Sequence, residues 1–279
     1  MELSYFPGCS LHSTAREYDE STRAVCAALG IGLKELADWN CCGSTSAHSV
    51  NAELARRLPA RNLEIAARAG LDLMMPCAAC YSRMKTAQAE LPESGDAASA
   101  RGIRVSHILE VFAGDGVLER LSAKVTRRLE GLQVACYYGC LTTRPPRVTG
   151  ATDYEYPESM DRLLEAAGAA ALPWSYKTDC CGASLTLTRP DVVLRLVDQL
   201  LLMAAEAGAD CIAVACSMCQ ANLDARQGEA ASRFGRAYRL PVLYVSELLA
   251  LAMGLPGAQR WWRRHLTDPR PLLGQKGLA

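Results

Sequence analysis

Apolar and polar positions recur along this chain in one order: a short apolar run, a longer stretch at helical spacing, then another short apolar run. Leu3 to Phe6 reads as a short buried strand. From Glu17 to Leu29, the residues Val25, Ala28 and Leu29 share one helical face, and Gly30 follows as a stop. Asn51 to Ala69 predicts a helix ended by Gly70. Leu71 to Met75 is continuously apolar and reads as a buried strand. Cys77 to Glu90 then reads as a helix, with Pro92 beyond it. The second half repeats the order. Leu132 to Tyr138 predicts a strand, Ser159 to Ala167 a helix before Gly168, and Pro190 to Ala207 a helix before Gly208. Cys211 to Ala215 predicts a strand and Met218 to Arg226 a helix. Strands alternating with helices over short connections predict α/β modules with largely parallel sheets.

The repetition extends to individual residues. The first half carries Cys9, Cys41-Cys42-Gly43 and Cys77-Ala78-Ala79-Cys80. The second carries Cys140, Cys180-Cys181-Gly182 and Cys216-Ser217-Met218-Cys219. The differences 181 − 42, 216 − 77 and 219 − 80 are all 139, whereas 140 − 9 is 131, so a loop is longer in the second half. Tyr5-Phe6-Pro7-Gly8-Cys9 parallels Tyr137-Tyr138-Gly139-Cys140, and Asp38-Trp39-Asn40 parallels Lys177-Thr178-Asp179. Val105-Ser106-His107 parallels Val245-Ser246-Glu247 at an offset of 140. Two five-cysteine sets in register mark a duplicated module, joined between Gly114 and Gly131.

Composition narrows the chemistry. The 279 residues suffice for one large domain or two smaller ones. A net charge of zero gives no reason to expect nucleic acid or an acidic membrane as the main partner. The longest apolar candidate, Val242 to Leu255, contains Ser246 and Glu247 and falls short of the roughly 20 residues that span a bilayer. No basic stretch followed by a long apolar run opens the sequence, so no secretory signal is expected. Thirteen cysteines in a chain of this size point to metal or redox chemistry in a reducing, cytoplasmic setting.

Cys9, Cys77, Cys140 and Cys216 fall at the C-terminal ends of predicted strands, the edge where open α/β sheets place ligands. Each CxxC opens a predicted helix, whose N-terminus stabilises a thiolate. The glycines after the CC pairs allow tight turns beside a bulky ligand. Adjacent cysteines suit a multinuclear cluster. A zinc ion takes four ligands, so five cysteines overfill it, and a thioredoxin-like CxxC leaves the CC pair unexplained. The closely spaced CxxCxxC run of ferredoxin cubanes is absent from the sequence. Iron–sulfur is the favoured reading, with zinc in at least one half and thiol chemistry as alternatives.

The motifs Tyr5-Phe6-Pro7-Gly8-Cys9-Ser10, Asp38-Trp39-Asn40-Cys41-Cys42-Gly43 and Pro76-Cys77-Ala78-Ala79-Cys80-Tyr81 resemble the B subunit of heterodisulfide reductase, the CCG-domain family. So do Tyr137-Tyr138-Gly139-Cys140, Thr178-Asp179-Cys180-Cys181-Gly182-Ala183 and Cys216-Ser217-Met218-Cys219-Gln220. The resemblance runs from Leu3 to about Leu255, and the tail with Trp261-Trp262 is similar to bacterial relatives. It implies two noncubane four-iron, four-sulfur clusters. One would be held by Cys9, Cys41, Cys42, Cys77 and Cys80, the other by Cys140, Cys180, Cys181, Cys216 and Cys219. It also implies disulfide/thiol or persulfide redox on a sulfur-containing small molecule or carrier-bound sulfur, with the substrate sulfur meeting cluster iron. Electrons would come from the ferredoxin-like and flavoprotein subunits of a heterodisulfide-reductase-like complex. The alternative is an electron-transfer or scaffold subunit of a dehydrogenase complex.

The fold expected is therefore α/β: two homologous, pseudo-symmetric Rossmann-like modules with mostly parallel sheets, each carrying a CCG cluster site. Residues 1–125 form the first module, 126–255 the second, and 256–279 a tail that either docks a partner or folds back on the body. Cys26, Cys136 and Cys211 read as small buried side chains. Trp39 and Trp174 read as core or cluster-shielding residues. His12 and His48 read as supporting or surface residues, with proton donation to a reduced sulfur as the alternative. His107 and His265 show no constellation.

Overall fold

The computed structural model describes residues 1–44, 47–93, 98–114 and 116–279. Eight strands form along the chain: β1 (Glu2–Tyr5), β2 (Gly32–Glu35), β3 (Leu73–Met75), β4 (Val105–His107), β5 (Gln133–Tyr137), β6 (Ala170–Ala171), β7 (Cys211–Val214) and β8 (Val242–Tyr244). They make two four-stranded sheets, ordered β2-β1-β3-β4 and β6-β5-β7-β8, and every pairing is parallel. The central strands β3 and β7 are buried along their whole length, as strands covered by helices on both faces must be. The two α/β modules expected from the repeat are thus two sheets of identical topology.

The helices follow the spacing read from the sequence. Asn51 caps Ala52–Ala69 by accepting the Leu54 N–H at 2.9 Å, and Gly70 ends it in the left-handed conformation. Pro190 opens the helix Pro190–Glu206, where a missing N–H costs nothing. The helices after the CxxC motifs are Ala78–Glu90 and Ser217–Ala225.

One parallel drawn from the sequence is in the wrong register. The pairing Leu73↔Val105 matches Ile212↔Val242, so His107 corresponds to Tyr244 at an offset of 137 rather than to Glu247 at 140. The caps agree. His107 N donates to Glu110 at 2.6 Å and Tyr244 N donates to Glu247 at 2.9 Å, each opening the helix after its strand. The Val-Ser coincidence concealed this three-residue slip: from Leu73 to Val105 is 32 positions and from Ile212 to Val242 is 30, so the preceding connection is two residues shorter in the second module.

The modules meet through the helices Arg16–Ala28 and Val245–Ala252. There Tyr18 stacks on Tyr244 with centroids 4.0 Å apart, and Ser21 and Ser246 share a hydrogen bond of 2.7 Å. The tail crosses this seam. Trp261 and Trp262 are buried in the body. Trp261, Arg260 and Arg264 all bond Glu20 of the first module, while Leu266 N and Thr267 N donate to Asp224 of the second.

His265 holds the tail from inside. Its Nε2 lies 3.0 Å from Glu247, with both side chains fully enclosed. Burial works against the charged ring, but the carboxylates of Glu247, Asp224 and Glu17 outweigh it and push the pKa up to about 9. A raised pKa means that the stabilisation is complete below the unfolded value of about 6.5 and is lost as pH rises through about 9. Thermal unfolding followed from pH 6 to 10 should therefore show the native protein losing stability across that window. His265→Gln should be less stable at pH 6 and flatter across the window. Parallel curves for the two proteins would contradict this.

Candidate metal centre

Each cysteine set is assembled at the C-terminal ends of its sheet's inner strands. Cys77 and Cys216 are the N-caps of the helices that follow β3 and β7, and Cys80 and Cys219 lie one turn further on. Cys9 sits in the turn Gly8–His12 just after β1, and Cys140 lies just beyond β5. The glycine before each is in the left-handed region, with φ of 72° at Gly8 and 69° at Gly139. A Cβ there would sit 3.1 Å from the Cys80 sulfur and 3.0 Å from the Cys219 sulfur, so only glycine lets the chain approach its CxxC so closely. Gly43 and Gly182, both at φ 75°, turn their N–H onto Cys41 at 3.4 Å and Cys180 at 3.3 Å.

The sulfurs of a set touch one another. Cys42 and Cys80 are 3.3 Å apart, and Cys181 and Cys219 are 3.8 Å apart. Cys9, Cys41 and Cys42 are close enough to perturb one another's ionisation, as are Cys77 and Cys80. Cys140 and Cys180 perturb each other in the same way, as do Cys216 and Cys219. The two sets also meet: the sulfurs of Cys77 and Cys216 are 4.0 Å apart. No group of three or more His, Cys, Asp or Glu among the described residues is arranged around a single metal ion.

The electrostatics show what such a set requires. Hydrogen bonds from Cys42 and Cys9 hold Cys41 far below the usual thiol range, and the bond from Cys140 brings Cys180 down to about 6. Charge on one sulfur opposes charge on the next: hydrogen bonding with Cys41 pushes Cys9 and Cys42 up, and crowding by Cys42 and Cys77 pushes Cys80 up. Five sulfurs in contact cannot all ionise unless cationic charge is placed among them. This donor set fits an iron–sulfur cluster.

Next to these sulfurs lies a cavity of about 60 Å³. Cys140, Cys180, Cys181, Cys216 and Cys219 line it from the second module, and Ala78, Ala79 and Ser44 from the first. It is a site at the seam, open to both halves. Cys9, Cys41 and Cys180 are exposed, whereas both CxxC pairs are buried.

The remaining candidates sit elsewhere. Cys26, Cys136 and Cys211 are fully buried core residues, and burial pushes Cys26 and Cys211 up to about 12. Trp174 is buried and donates to the Cys136 carbonyl. His12 pairs with Glu35 at the surface beside Trp39, and His48 accepts from Arg83.

The functional residue that the sequence concealed is His107. It is fully buried, and its Nε2 donates to the carbonyls of both Pro76 at 2.9 Å and Ala215 at 3.0 Å. These are the residues immediately before the two CxxC motifs, so one imidazole N–H joins both sulfur-bearing loops. Its Nδ1 accepts the Leu109 N–H at 3.5 Å, and burial lowers its pKa, so the ring is neutral. Tyr18 adds a second donor to Pro76, at 3.0 Å. The only sequence signal was His107 standing three residues before Glu110, a capping pattern with an unusual first member.

Comparison with known proteins agrees with this architecture. The family described as "CCG: Cysteine-rich domain" matches residues 3–85 and again residues 134–224. The chain belongs to the CCG cysteine-rich-domain family. It is 30% identical over 282 residues to the membrane anchor subunit of the 8-methylmenaquinol:fumarate reductase of Wolinella succinogenes, covering 97% of this chain and 99% of that one. It is 28% identical to the B subunit of the ferredoxin/F420H2-dependent CoB-CoM heterodisulfide reductase of Methanosarcina acetivorans, covering 91% and 89%. A hypothetical protein from Helicobacter pylori shares the fold, with a TM-score of 0.75 at 13% identity over 96% of this chain. The CCG chain spans 52% of that solved chain's length. Among the described residues no helix is long and apolar enough to cross a membrane.

Removing the shared donor tests the junction. His107→Ala should lower stability by about 1–3 kcal/mol, because the Ala215 carbonyl is left buried without its donor. His107→Gln, which restores an N–H, should recover part of the loss. Equal melting temperatures for all three proteins would contradict this role.

Proposed function

We propose that this CCG protein is the iron–sulfur subunit of a heterodisulfide-reductase-like complex and performs disulfide/thiol or persulfide redox at two noncubane four-iron, four-sulfur clusters. The observation that carries the reading is the approach of two complete five-cysteine sets across the seam, with Cys77 and Cys216 4.0 Å apart beside a cavity lined by the second set. A disulfide has two sulfur ends, and a paired site offers a place for each. Cys9, Cys41, Cys42, Cys77 and Cys80 hold the first cluster, and Cys140, Cys180, Cys181, Cys216 and Cys219 the second. When bound, each cluster supplies a one-electron redox centre with iron accessible to sulfur.

The chain's own residues do the rest. The helix N-termini at Cys77 and Cys216 favour the anionic sulfurs. His107 fixes the two loops against each other, and Ala78, Ala79 and Leu141 give the cavity an apolar wall that limits water. Reducing one disulfide to two thiols takes two electrons and two protons. The proposed electron donors are the ferredoxin-like and flavoprotein subunits of such a complex.

A second reading is an electron-transfer component of a dehydrogenase complex with no substrate of its own. It is favoured by the near full-length match to the Wolinella protein, whose name places it in a menaquinol:fumarate reductase.

Two measurements test the proposal, the first its clusters and the second its chemistry. Anaerobically purified protein should contain about eight irons and eight acid-labile sulfides per chain. Cys42→Ser and Cys181→Ser should each lose about half of this, and zinc in place of iron in either set would overturn the cluster reading. EPR of the oxidised protein should change when a thiol is titrated in. A thiol that leaves both clusters unchanged would sink the catalytic reading and leave the electron-transfer one.

A further inference from the structure

We propose that the hydroxyl of Tyr137 raises the reduction potential of the second iron–sulfur centre, and that Phe6, at the equivalent place, leaves the first centre without that support. The proposal deepens the two-cluster reading above and rests on it for the metal.

The two rings occupy one place in the duplicated module. Tyr5 pairs with Met74 and Cys136 with Ala213, and Met74 and Ala213 are 139 positions apart, as the CxxC motifs are. The next residues, Phe6 and Tyr137, therefore correspond, at the offset of 131 that also relates Cys9 to Cys140. Both are buried, and each has a tryptophan beside it: Phe6 and Trp39 have ring centroids 5.3 Å apart, Tyr137 and Trp174 6.2 Å apart. A Cβ on Gly139 would stand 3.0 Å from the Cys219 sulfur and 3.8 Å from Cζ of Tyr137, the carbon that bears the hydroxyl. In the first module a Cβ on Gly8 would stand 3.1 Å from the Cys80 sulfur and 3.4 Å from Cε1 of Phe6. One ring brings an O–H to the sulfurs and the other only C–H.

The hydroxyl also has a structural task, which the first module performs with a different residue. Tyr137 donates to the carbonyl of Asp179, immediately before Cys180-Cys181, at 2.6 Å. The corresponding carbonyl, that of Asn40, accepts from Asn62 on the helix Ala52–Ala69 at 2.8 Å. Leu201 stands 139 positions after Asn62 and has no donor to offer. The second module has thus exchanged a helix amide for a phenol beside its cysteines. Cys181 is held below the usual thiol range by Cys219 first, and the Ala183 N–H and the Tyr137 hydroxyl lie close enough to add to the effect.

An added electron places negative charge on the sulfurs, and an O–H dipole in a dry site stabilises it. Hydrogen bonding and solvent exposure around the sulfurs are among the factors that set a cluster's potential. Burial, and then the nearby sulfurs, push the Tyr137 pKa well above its ordinary value, so the phenol keeps its proton and remains a donor. No bond breaks and no proton leaves; the electron alone moves. Water serves the first set better, because Cys9 is exposed and Cys140 is half-buried. The hydroxyl supplies to the second set what solvent supplies to the first.

An EPR-monitored redox titration of the anaerobic, cluster-loaded protein tests this. The signal lost in Cys181→Ser identifies the second centre. Tyr137→Phe should lower that centre's midpoint by about 59 mV, an about tenfold change in its one-electron equilibrium, and leave the first centre unmoved. Phe6→Tyr should raise the first midpoint alone; if that buried ring admits no oxygen, Tyr137→Phe decides by itself. A loop merely loosened by loss of the Asp179 bond would admit water and raise the midpoint, so the sign of the shift separates tuning from loop holding. A second midpoint that stays or rises in Tyr137→Phe would overturn the proposal. Midpoints that shift as expected in clusters indifferent to added thiol uphold the role of Tyr137 and defeat the sulfur chemistry. Unmoved midpoints in clusters that respond to thiol defeat the role of Tyr137 alone, and a second set without iron defeats both.

Discussion

At the centre of this molecule one imidazole N–H lies between two backbone carbonyls from different modules. Pro76 and Ala215 each precede a CxxC, so His107 sets the separation of the loops on which both cysteine sets depend. The consequence is the 4.0 Å approach of Cys77 to Cys216. Donating the same proton to both sides is possible because the ring is buried and neutral, and because its other nitrogen caps the helix Ile108–Phe112. Tyr18, stacked on Tyr244, backs the same junction from the opposite side, and the tail closes over it by way of Glu20, Asp224 and Glu247. The seam thus rests on hydrogen bonds from His107, Tyr18, Ser21 and Glu20 that reach between the modules or into the tail, a geometry that tolerates little drift.

Parallel sheets make this junction possible. All strands of a module point the same way, so the loops after β1, β3, β5 and β7 emerge at common edges, and two such edges face each other. Crowded sulfurs are then unavoidable. The thiol–thiolate bonds between Cys9 and Cys41 and between Cys140 and Cys180 show the charge conflict that a cluster relieves. Duplication supplies the second set without a new fold, while the second half diverges where its surroundings differ: Lys177 and Asp161 form a buried pair at 2.7 Å that braces Tyr138 behind Cys140, and the first half has Pro7 at that place.

Much of this was legible in the sequence because it rests on local rules. The helix Ala52–Ala69 declares itself by Asn51 and Gly70, and the buried runs of β3 and β7 by their apolar continuity. The short edge strands were not legible. Gly32–Glu35 is mostly exposed and Ala170–Ala171 has two residues, so neither carries a pattern, and pairing alone makes them strands. The cysteine sets were legible as spacing, but their mutual contact was not, since it depends on how two modules pack. His107 was hidden for the same reason: its role is a distance between carbonyls 139 residues apart in the chain. The equal offsets of the cysteines also lent weight to a false parallel at Val245, because loop lengths change where register must still be kept.

The central claim is that two iron–sulfur centres sit side by side in one seam. Anomalous scattering at the iron edge, from crystals of anaerobically purified protein, tests it most directly. Two iron densities are expected, one on each five-cysteine set, on either side of Cys77 and Cys216. Iron at one set alone, or a zinc-edge signal at either, would contradict the account.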